Sequence, residues 1–83
     1  MNAKTLLLKI SSGMQDVLAH NKAKEVADTI SDHYNVNVSS AWVYNLANSA
    51  KHGSRYDVSV RRAFATKEFL EDWRSDRCPW LEK

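Results

Sequence analysis

Only two glycines and one proline punctuate these 83 residues. A sheet-rich small fold needs more turn residues than that, so the chain is expected to be helical. The periodicity agrees. Residues 3–20 place Leu6, Leu7, Ile10, Met14, Val17 and Leu18 on one stripe, which predicts an amphipathic helix whose stripe is core. Ser11, Ser12 and Gly13 weaken its middle and leave room for a bend, since glycine in a helix costs about 1 kcal/mol relative to alanine. Asn21 is a candidate cap or break.

Residues 22–51 then read as two helices, 22–34 and 39–51, joined by a tight turn at 35–38. Ala23, Val26, Ala27 and Ile30 give the first its buried face, and small Ala27 and Ser31 permit close approach of the next helix. Asn35 suits the left-handed conformation that often ends a helix. Ser39 is a favoured N-cap, with Val38 and Val43 at the two positions of a hydrophobic staple. Val43, Leu46, Ala47 and Ala50 form the apolar stripe of the second helix. Its opposite face carries Ser40, Ala41, Tyr44, Asn45, Asn48 and Lys51, with a single charge. A solvated face usually carries Glu–Lys pairs instead, although a plain solvated face remains the alternative.

Residues 52–65 leave two readings open. Tyr56, Val58 and Val60 alternate with polar residues, as a short strand around 54–61 would. Equally, Asp57 could cap a short helix with Val60 and Phe64 inward. Thr66 is expected to cap a last helix in which Glu68, Glu71 and Asp72 come early, as the helix dipole favours. Phe69, Leu70 and Trp73 would be its inward face. The expected fold is therefore mainly α: one domain over 1–83, with four to five helices.

Net charge is +2, but unevenly spread. Residues 44–66 carry Lys51, Arg55, Arg61 and Arg62 against Asp57, whereas 1–43 are neutral and 67–83 slightly acidic. The positive potential thus collects beside helix 39–51. One cysteine, Cys78, allows no internal disulfide and fits a reducing cytoplasm. His20, His33 and His52 stand at no catalytic or metal-ligand spacing, so neither an enzyme nor a cofactor is expected. No apolar run approaches a membrane span.

Ile30-Ser31-Asp32-His33-Tyr34-Asn35-Val36 resembles the first-helix-and-turn segment of bacterial and phage helix-turn-helix repressors, in which a small residue is followed four positions later by Gly or Asn and then an aliphatic residue. Ser31, Asn35 and Val36 fit. Where that family has its next two aliphatic residues this chain has Ala41 and Tyr44, with Val43 and Leu46 two positions later, so the turn is about two residues longer. The resemblance covers about 20 residues and implies a transcription regulator that binds double-stranded DNA through helix 39–51, better as a homodimer. Ser40, Tyr44, Asn45, Asn48 and Lys51 would face the DNA, with Arg55, Arg61 and Arg62 on phosphates. The competing expectation is a small phage-type inhibitor or antirepressor that binds a larger protein. Its anchors would be Tyr56 and Trp80, with Trp42 and Trp73 filling the core.

Overall fold

The computed structural model describes residues 3–49 and 59–83, with side chains from Thr5 onward. The described chain forms four helices and no strand: α1 (Ala3–Leu18), α2 (Ala23–His33), α3 (Ser40–Asn48) and α4 (Val60–Arg74). Helix α3 packs most extensively, against both α1 and α2; α4 lies on α1 and more lightly on α2. The core is one cluster. Ile10, Met14 and Val17 meet Val26 and Ile30, Val43 and Leu46, and Phe69 and Leu70, all nearly devoid of solvent contact. No helix among the described residues is long and apolar enough to cross a membrane.

The first three helices follow the sequence pattern with ends shifted by a residue or two, except that α3 ends at Asn48 and the last two positions of the expected 39–51 lie outside the described residues. Helix α1 stops at Leu18 rather than His20, and the Val17 carbonyl at its end accepts from both His20 N and Asn21 Nδ2. Gly13 proves to be a packing position. A Cβ there would lie 2.8 Å from Leu70 Cδ1, so its bare backbone is what lets the Leu70 side chain of α4 seat against α1 in this rotamer. The α2–α3 connector spans 34–39 and is longer than the expected 35–38. Asn35 takes the left-handed conformation at φ 56°. The Ser31 hydroxyl clips the connector, donating to the Val38 carbonyl and accepting from its N–H, both at 3.1 Å. Ser39 caps α3 by accepting from Trp42 N at 3.1 Å, and Val38 and Val43 are both buried as a staple requires.

The C-terminal third corrects several expectations. Helix α4 is continuous from Val60, and Ser59 caps it by accepting from Arg62 N at 3.3 Å. Residues 60 and 61 are thus helical, not strand; 50–58, with Asp57 and the rest of the suggested β element, lie outside the described residues. Thr66 is no cap. It is fully buried mid-helix, and its hydroxyl donates to the Arg62 carbonyl at 2.7 Å, one turn back. Val60 and Phe64 point outward, 71% and 57% exposed, because Ala63, Thr66, Phe69, Leu70 and Trp73 claim the inner face. Glu71 and Asp72 consequently fall near the C-terminal end of α4, and its first turn holds Arg61 and Arg62 instead, the reverse of the dipole-favoured order.

Candidate nucleic-acid interface

Ten residues from Ser39 to Asn48 build the surface. Successive helical residues are set about 100° apart, so Val43, Leu46 and Ala47 turn inward together while Ala41, Asn45 and Asn48 share the opposite ridge. Ser40, Ala41, Tyr44 and Asn45 are exposed and Asn48 is half-buried. Among the described residues α4 makes no backbone approach to α3 and does not cover the ridge. Two side chains of α1 fix how α3 is held: Ser11 Oγ and Gln15 Nε2 both donate to the Ala47 carbonyl, at 3.2 and 2.7 Å. The ridge therefore sits on a braced element.

Tyr44 and Trp42 mark its two flanks, about 160° apart around the helix axis. On the Tyr44 side, 61% exposed, an open hollow runs between α1 and α3, lined by Gln15, Leu18, Ala47 and Asn48. On the other side the Arg62 guanidinium lies over the half-buried Trp42 ring, 6.0 Å from its centroid. Arg61 turns toward the α2–α3 connector, where its Nη2 donates to the Asn35 carbonyl at 3.1 Å. A second open hollow there is lined by Ser31, Asn35, Asn37, Ser59, Arg61 and Arg62.

The sequence-expected residues therefore divide. Ser40, Tyr44, Asn45 and Asn48 share one outward surface of α3, and Arg62 joins its edge through Trp42. Arg61 belongs to the connector. Lys51, Arg55 and Tyr56 lie outside the described residues. Trp80 is elsewhere, stacked on His33 of α2 with ring centroids 3.7 Å apart and planes within 15°. Trp73 is core, as expected, its indole N–H donating to the Glu82 carbonyl at 2.9 Å. Trp42 was expected there too; it is partly buried and packs against the core cluster, and its pairing with Arg62 joins residues twenty apart that no local pattern links. Comparison with protein-family models, curated proteins and solved structures finds no match to this chain.

Proposed function

We propose that this chain is a small DNA-binding regulator that lays α3 in the major groove of duplex DNA. One observation carries the reading: the ridge of α3 is exposed, braced from behind and free of charged side chains from Ser40 to Asn48, with Arg62 at its edge. A major groove admits a helix of this kind, and amides, hydroxyls and small apolar groups are what read base edges. The placement of Arg61 and Arg62 supports it. Two guanidinium groups at the positive end of α4, with no acid in its first turn, weaken the helix by roughly 0.3–1 kcal/mol each. A phosphate beside them turns that repulsion into attraction. A second copy of the chain would double this basic edge, which suits a dimer reading two half-sites.

The test is a mobility-shift series on a random duplex library across salt concentrations. Wild type should bind at low salt, and the Arg61→Ala/Arg62→Ala double variant should bind every duplex more weakly, with the salt slope flatter by about one to two. Both side chains are exposed, so the fold should survive the change. No binding at low salt overturns the proposal. The second reading, a small protein-binding inhibitor, is favoured by Val60 and Phe64, an apolar pair on the solvent side of α4. A partner lost on Phe64→Ser but kept in the double arginine variant would promote it.

A further inference from the structure

We infer that α3 reads A·T base pairs directly, with Asn45 and Asn48 as adenine readers. The inference rests on the DNA-binding reading and adds the class of sequence recognised. The chemistry is one of inclusion and omission. An asparagine amide offers a donor and an acceptor side by side and matches the N6 and N7 edge of adenine, while a methyl-sized side chain fits the thymine methyl. The ridge presents those groups in the exposed Asn45 and Ala41 and the half-buried Asn48. Neither amide is engaged in a hydrogen bond within the described residues, whereas the Gln15 amide beside them is spent on the Ala47 carbonyl. Among the described residues of α3, Ser40–Asn48, the charged groups that read a G·C pair are missing: there is no Arg or Lys for guanine O6 and N7, and no Asp or Glu for cytosine N4.

Geometry sets the length of the subsite. From Ala41 to Asn45 the helix rises about 6 Å, and from there to Asn48 about 4.5 Å. Together they match about three base-pair steps of ~3.4 Å when α3 lies along the groove. The flanks complete the fit. Tyr44 and Arg62 stand on opposite sides of the ridge, so the phenol meets one phosphate strand as the guanidinium meets the other.

The experiment is selection from a randomised duplex library with the full chain, followed by titration of selected duplexes carrying 7-deazaadenine at one position at a time. That base keeps pairing and stacking but lacks the N7 acceptor. Selected sites should share a run of three or four A·T pairs. One 7-deazaadenine should weaken wild-type binding about 5- to 100-fold and leave Asn45→Ala or Asn48→Ala unaffected at the matching position. The salt slope should not change in either variant, since no phosphate contact is removed. Sequence-independent binding, or a G·C-rich consensus, overturns this inference and leaves the DNA-binding reading standing. So does an A·T preference blind to 7-deazaadenine, which would mean readout of groove shape. Failure to bind any duplex overturns both.

Discussion

Tyr34 shows how much one side chain can hold at the end of a helix. Its hydroxyl donates to Asp72 Oδ2 at 2.7 Å, and its ring meets Phe69 edge-on at 5.8 Å. Burial, then the hydrogen bond and then the carboxylate's charge raise the phenol pKa well above its ordinary value. Burial pushes the neighbouring Cys78 thiol up as well. In both cases the folded state holds its proton more tightly than the unfolded one, so the stability each contributes is complete at neutral pH and is lost as pH rises. Stability should begin to fall near the unfolded thiol pKa of about 8.5 and fall further past about 10, where an unfolded tyrosine ionises. Tyr34→Phe should remove the later part of that decline and keep the earlier. Urea melts between neutral and strongly alkaline pH check it; a Tyr34→Phe curve parallel to wild type throughout would refute it. Residues such as Ser39 and Asn35 were legible in the sequence because their roles are local: a hydroxyl three residues ahead of an N–H, a small amide tolerant of positive φ. Gly13 was not, for it reads as a weak point in a helix, and only the Leu70 side chain, 57 positions away, makes it a fitting surface.

At the scale of elements, α3 makes the sharpest claim. Leu46 is fully buried between α1 and α2, while Tyr44 is open to solvent two positions away. Leu46→Ala should cost about 2–5 kcal/mol, and Tyr44→Ala little. Comparable loss in thermal melts of the two variants would mean that α3 is rotated from the orientation described. Three helices were legible because each carries an amphipathic stripe of its own. The start of α4 was not. Val60 and Phe64 are apolar, yet they lie on its outer side, so the apolar pattern pointed the wrong way there. Thr66 misled for a related reason: the same hydroxyl that caps a helix from outside can bond back to the turn before it from within. The α3 face was legible as a set. Its partner Arg62 was not, because the contact with Trp42 is made by tertiary packing.

The whole molecule is closed by its C-terminal segment. Glu82 is held at both backbone atoms by the Asn21 amide, with both bonds at 2.8 Å, and its carbonyl also receives the Trp73 indole. Cys78 is buried, Leu81 packs on the core, and Trp80 lies on His33. One short stretch thus ties the ends of α1, α2 and α4. Truncation before Pro79 should lower the melting temperature by about 10 °C or more, whereas Trp80→Ala, which removes one stacked pair, should lower it by roughly half that. An unchanged melt on truncation would show that this segment does not hold the helices. It also makes Trp80→Ala a cleaner probe of a partner surface than truncation. The bond from Trp73 to Glu82 gives the molecule a clock of its own. That indole proton can trade with deuterium when the closing segment lifts, whereas buried amides of α3 wait for the core to come apart. The interval between the two exchange rates measures how independently this closure breathes.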